Sequence, residues 1–132
     1  MWIRRRHQGG CRGISSLEFV MVLPMLFLIL LAGVEFSRAW MVMNLVTQAA
    51  REGARVGTVT NPTEALNRIN AVLAAANLVS ASASVTCLPD PCAPDSQVTA
   101  IVTVNFQTLF PAMLPMLSGP IPLTNTAIMR FE

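Results

Sequence analysis

Lysine and tyrosine are absent from this 132-residue chain, and its one histidine is His7. An imidazole confined to a basic amino-terminal stretch leaves none elsewhere for a catalytic triad or a mixed Cys/His zinc site. Charge is scarce as well. Charged residues are 12% of the chain against 53% hydrophobic, where a soluble domain carries about 25% charged. Such a balance excludes a disordered chain and argues against a freely soluble one. All nine cations are arginine, and Arg4, Arg5, Arg6 and Arg12 lie before residue 13. Beyond Gly13 five arginines face seven acids, leaving −2. A polyanion binder carries its cations on the folded part, with aromatics between them, so no nucleic-acid partner is expected. Gly9-Gly10 and the Gly53/Gly57 pair lack the context of a phosphate-cradling loop. The acids are scattered and form no acid/base pair. The expectation is a protein with no catalytic, cofactor-binding or metal residues, and no enzyme.

What is present is a long apolar run. Ile14 to Val34 holds 21 residues with one charge, Glu18, and the 16 residues from Phe19 to Val34 are uncharged. A hydrocarbon core of about 30 Å needs about 20 helical residues, so the run spans a membrane when its ends are counted. The arginine cluster before it then lies in the cytoplasm and the rest of the chain across the membrane. A secretory signal has the same order of charges, but Ala32 and Gly33 are followed by Glu35, Phe36 and Arg38 with no break in the helical pattern. Cys11 is not a lipoprotein cysteine, because no hydrophobic stretch precedes it. The distinctive feature is the order Gly13-Ile14-Ser15-Ser16-Leu17-Glu18-Phe19. A carboxylate near the start of a span is costly, about 2.5–3.5 kcal/mol at a helix centre and less near an end. It either snorkels to the membrane edge or meets a cation. Cleavage after Gly13 would supply one, the α-amino group of Ile14, on the same subunit or a neighbour.

Gly13 to Phe19 resembles the processing site of type IV prepilins in the form used by Flp-type pilins: glycine, four residues, glutamate, aromatic. The wider stretch is similar to the TadE-like proteins, minor pilins of the tight-adherence (Tad/Flp) pilus system. The residues that carry the resemblance are Leu17-Glu18-Phe19, Val22-Leu23-Pro24, Gly33-Val34-Glu35-Phe36-Ser37-Arg38-Ala39 and Ala49 to Arg55, within about residues 10–58. Ile-Ser-Ser after the glycine departs from the small or apolar residues more usual there. The resemblance implies processing at Gly13 and Ile14 by a prepilin peptidase and assembly roles for Glu18, Phe19 and Glu35. It implies as partners a major Flp-type pilin, another minor pilin, the inner-membrane pilus platform and membrane lipid.

From Val42 to Gly57, Val42, Leu45, Val46, Ala49, Gly53 and Gly57 share one helical arc, and Asn44, Thr47, Gln48, Arg51 and Arg55 the opposite one. The small residues admit another backbone closely, either the protein's own sheet or a neighbouring subunit. From Ile14 to Gly57 is 44 residues, roughly 66 Å of helix, kinked locally at Pro24. Glu35/Arg38 and Glu52/Arg55, three apart, read as helix-surface ion pairs worth a few tenths of a kcal/mol; Glu35 is alternatively available to a neighbouring subunit. Asn61-Pro62-Thr63-Glu64 starts a second helix running to about Asn77, with Leu66, Ile69, Val72, Leu73 and Ala76 inward. Ser82–Cys87, Val98–Phe106 and Ala127–Phe131 favour strands, with Val98, Ala100, Val102, Val104 and Phe106 on one face. Leu109 to Pro122 reads as a loop, with a short strand near Leu123. Cys11 lies in the leader; Cys87 and Cys92 flank the turn-forming Leu-Pro-Asp-Pro and are either bridged, as an oxidising periplasm favours, or two free thiols.

The expected organisation is a basic leader (1–13), a spine helix with a transmembrane half and an amphipathic half (14–57), and an extracytoplasmic head (58–132). The fold class is α+β and pilin-like, with a second helix and a small antiparallel sheet of three to four strands. The expected protein is a single-pass bacterial inner-membrane minor pilin with a cytoplasmic amino terminus and a periplasmic head. The alternative is a signal-anchored periplasmic protein whose head binds an envelope partner.

Overall fold

The computed structural model describes residues 12–78, 80–89, 92, 94–111 and 119–130, with side chains from residue 16 onward. Helix α1 runs Arg12–Gly57, α2 Pro62–Ala75, and three strands follow: β1 Ala81–Leu88, β2 Gln97–Phe106 and β3 Ile121–Arg130. The strands form an antiparallel meander in the order β1-β2-β3. The fold is α+β with a long apolar amino-terminal helix, as expected, and the sheet has three strands among the described residues. The chain divides into two compact units, Met1–Val34 and Glu35–Glu132, so the amphipathic part of α1 belongs to the second.

In the first unit every described side chain from Ser16 to Val34 is exposed except half-buried Leu31. Helix α1 continues through Pro24, which has no N–H to give the turn before it. By length and composition this helix is able to cross a membrane.

The second unit has two layers. Val46, Ala49, Ala50 and Ala54 of α1 and Ile69 and Leu73 of α2 pack against Ala100, Val102, Val104 and Ala127 of the sheet. Gly53 and Gly57 are points of close approach, Gly53 to α2 and Gly57 to both α2 and the sheet. A Cβ at Gly57 would come within 2.8 Å of Val98 Cγ1 and 3.4 Å of Ala65 Cβ, and one at Gly53 would overlap Ile69 Cγ1 and Cδ1. The stripe of small residues is therefore filled by this chain's own α2 and β2. Thr47, placed by periodicity on the solvent arc, is half-buried: it donates to Met43 O at 2.8 Å and accepts from Asn125 Nδ2 at 3.0 Å.

Helix α2 starts as its sequence dictates. Asn61 is extended (φ −143°, ψ 161°), and its side chain accepts from Glu64 N at 2.8 Å, with Pro62 at the first helical position. Its buried residues are Ala65, Ile69 and Leu73, with Leu66 and Val72 only half-buried. The face is rotated from the expected one because Gly57 and Gly53 accept Ala65 and Ile69 and leave less room for a larger Leu66. The helix stops at Ala75, two residues early. Asn77 adopts a left-handed conformation (φ 55°) and Leu78 N donates back to Leu73 O, the geometry of a helix end.

The sheet differs from expectation chiefly in β3. The short strand near Leu123 and the strand at 127–131 are one ten-residue strand, with Asn105 opposite Pro122 and Gln97 opposite Arg130; Phe131 lies outside the described residues. Pro122 is tolerated because β3 is an edge strand, which needs only every second N–H for its one neighbour. Val98, Ala100, Val102, Val104 and Phe106 are all buried, as the alternation of β2 predicts. The opposite face exposes hydroxyls, with Thr103 and Thr124 bonded across strands at 2.9 Å.

Candidate functional site

The candidate residues fall in three places along the chain. The first is the start of α1. Gly13 and Ile14 lie in its opening turn, so the bond between them is helical and its glycine is the weakest helix former there, by about 1 kcal/mol relative to alanine. Glu18 is exposed and pairs with no described residue, and Phe19 beside it is exposed as well. Around and beyond them the helix is long and apolar enough to cross a membrane. From Ser16 to Val34 none of its described residues is buried.

The second place is Glu35. The expectation of a helix-surface ion pair is corrected here, because Glu35 is only 5% exposed. One carboxylate oxygen accepts from Arg38 Nη1 at 3.0 Å, and the other accepts from the backbone N–H of Leu109 at 2.6 Å. Arg38 in turn lies over the Phe106 ring, 5.2 Å from its centroid. Glu35 thus ties the connection after β2 to α1. Periodicity missed this because the partner is a backbone N–H 74 positions away, which no side-chain motif marks. Replacing Glu35 with alanine would strand that N–H and leave Arg38 unpaired, at a cost of about 2 kcal/mol. The expected result is fast hydrogen exchange at the Leu109 amide in Glu35→Ala, with partial protection kept in Glu35→Gln, whose amide oxygen still accepts. Unchanged exchange at Leu109 in both variants would contradict the assignment.

The Glu52–Arg55 pair is, by contrast, exposed as expected, and Arg68 of α2 joins it at 3.3 Å. The hydrogen bond from Arg55 holds the Glu52 carboxyl below its ordinary range, and Arg68 adds to this. Such a solvated cluster contributes little to stability.

The third place is the Cys87–Cys92 pair. The two sulfurs are bonded and the Cα atoms are 5.5 Å apart, within the range a disulfide spans. Cys87 is buried at the end of β1, its sulfur 3.8 Å from Ser96 Oγ. Among the described residues no three His, Cys, Asp or Glu side chains gather where they could hold a metal ion.

The comparisons with known proteins bear on the first two places. Residues 13–55 match the model of the TadE-like protein family, so the resemblance carried by the motifs is borne out over about a third of the chain. No curated protein and no solved structure matches it.

Proposed function

We propose that this chain is a prepilin-like minor pilin that takes part in assembling a Tad/Flp pilus. The observation that carries the reading is a combination inside the TadE-like stretch. A glycine in the first helical turn stands five residues before an unpaired glutamate, on a helix whose apolar surface is uncovered. In this reading a prepilin peptidase removes Met1–Gly13, and with it the arginine cluster and Cys11. Ile14 becomes the amino terminus, and the apolar helix associates laterally with a major Flp-type pilin and another minor pilin at the inner-membrane platform. The role is structural and not catalytic, and the folded unit lies on the periplasmic side of a single span. The Cys87–Cys92 bond supports that placement, since disulfides persist in oxidising compartments.

Intact-mass analysis tests the proposal. In cells that co-express a prepilin peptidase, membrane-extracted protein should begin at Ile14. Gly13→Ala should retain residues 1–13 while still inserting. A dominant uncut species in the presence of active peptidase would favour a plain signal-anchored protein instead.

A further inference from the structure

Where α1 enters the second compact unit, its two sides are unlike. One side carries the two charges that follow the apolar run, and both are occupied. Glu35 is buried with its oxygens on Arg38 and Leu109, and Arg38 is half-buried against Phe106. The opposite side is bare and apolar. Phe36 is 69% exposed, Trp40 62% and Met41 65%, and the Phe36 and Trp40 rings stack with centroids 6.2 Å apart. The other exposed residues on that side, Ser37, Asn44 and Gln48, are neutral, and the next exposed charge along the helix is Arg51.

Single exposed apolar side chains need no explanation. Three within two turns, an indole among them, are a different matter beside an apolar run that ends at Val34. Phe36 is two residues past that end. Trp40 is four residues beyond Phe36, about 6 Å along the helix axis at 1.5 Å per residue. Had Glu35 and Arg38 faced the same way as Trp40, their charges would have held this stretch in water. The burial of Glu35 and its pairing with half-buried Arg38 on the other side remove that obstacle. An indole, with a broad apolar ring and one N–H donor, favours the boundary between acyl chains and headgroups.

We propose that Phe36, Trp40 and Met41 seat in the interfacial layer of the bilayer, on the side of the membrane where the folded unit lies. Lipid contact on this side of α1 then continues past Val34 as far as Trp40, and water begins at Asn44 and Gln48. The first charges after the span do not set the insertion depth; the aromatic pair does. This rests on α1 spanning a membrane and not on any role in a pilus.

The test is a depth measurement on the full chain with Trp2→Phe, which leaves Trp40 as the sole indole. The protein is reconstituted at high dilution in phosphatidylethanolamine/phosphatidylglycerol vesicles carrying bromine at shallow or at deep acyl positions, with aqueous iodide as the opposing quencher. A second variant adds Trp40→Phe and Gln48→Trp as a ruler two turns further on. Trp40 should be quenched most by shallow bromines and several-fold less by iodide than the indole of the Gln48→Trp variant. If iodide reaches both indoles equally and bromine reaches neither, Trp40 is in water and the inference fails. Protection of Trp40 from both quenchers at every dilution would mean that protein, such as a second copy, covers it, and would also overturn the inference. Release of the chain from vesicles by alkaline carbonate would overturn the span itself, and with it the pilin reading, whereas a retained chain with a wet Trp40 leaves that reading standing.

Discussion

Gly53→Val should destabilise the second compact unit by about 3 kcal/mol, the upper part of the range for forcing extra carbons into a packed interior. Gly53 is buried where α1 crosses α2, and the first added carbon already overlaps Ile69 Cγ1 and Cδ1. Ile69 is wholly buried and, being β-branched in a helix, has one favoured χ1 and cannot swing aside. Replacing a helical glycine returns at most about 1 kcal/mol of backbone entropy, too little to offset the clash. Against a total of about 5–15 kcal/mol for a domain, the loss is a large share. Gly33→Ala is the control, since a Cβ there meets nothing within 4 Å. Ile69→Ala alone should cost about 2–5 kcal/mol by leaving a cavity. Gly53→Val with Ile69→Ala should cost less than the two separately, by about 1–3 kcal/mol, because the valine enters the space vacated. Hydrogen exchange at the amides of β2 reads these free energies in the detergent-solubilised chain. Strict additivity of the two substitutions would show that Gly53 and Ile69 do not share the crossing.

That crossing also shows which parts of the fold a sequence can carry. The alternation of β2 and the Asn61-Pro62 helix start are written in neighbouring residues, and local chemistry decides both. The stripe Ala49, Gly53, Gly57 was legible as a place of close approach but not as to what approaches, because that depends on residues of α2 and β2 far along the chain. The rotation of α2 from Leu66 to Ala65 has the same origin: a helix with apolar residues at both positions turns the smaller one toward a glycine-lined partner. Pro122 concealed the start of β3 because proline punctuates a strand only when its N–H is required, and an edge strand excuses it. Glu35 was marked by the motif around it. Its burial was not, since the group that donates to its second carboxylate oxygen is the main-chain N–H of Leu109.

On the proposed minor-pilin reading, Glu18→Gln should leave membrane insertion and removal of Met1–Gly13 intact and abolish most of the crosslinking to partner pilins. The argument begins from cost. Glu18 is exposed on an apolar helix and pairs with no described residue, so in lipid its charge is uncompensated unless it stays at the membrane edge or a cation reaches it. Processing at Gly13 would create that cation at Ile14, four residues away, or about 6 Å along the helix axis. On its own subunit the amine would lie one turn below the carboxylate. On a neighbouring subunit displaced along the axis it could meet Glu18 directly, and desolvation by the packed helices would strengthen the pair. Glutamine keeps the length and the hydrogen-bonding oxygen of Glu18 and loses only the charge, so a defect in Glu18→Gln is a defect in pairing and not in packing. Glu18→Ala should assemble as poorly, whereas Phe19→Leu, which spares the charge, should retain more crosslinking than either. Insertion should improve slightly in both Glu18 variants, since a costly charge has been removed from the span. If both assembled as well as the parent, Glu18 would be a carboxylate tolerated at the membrane edge. The helix would then be an anchor, with the folded unit left to act alone.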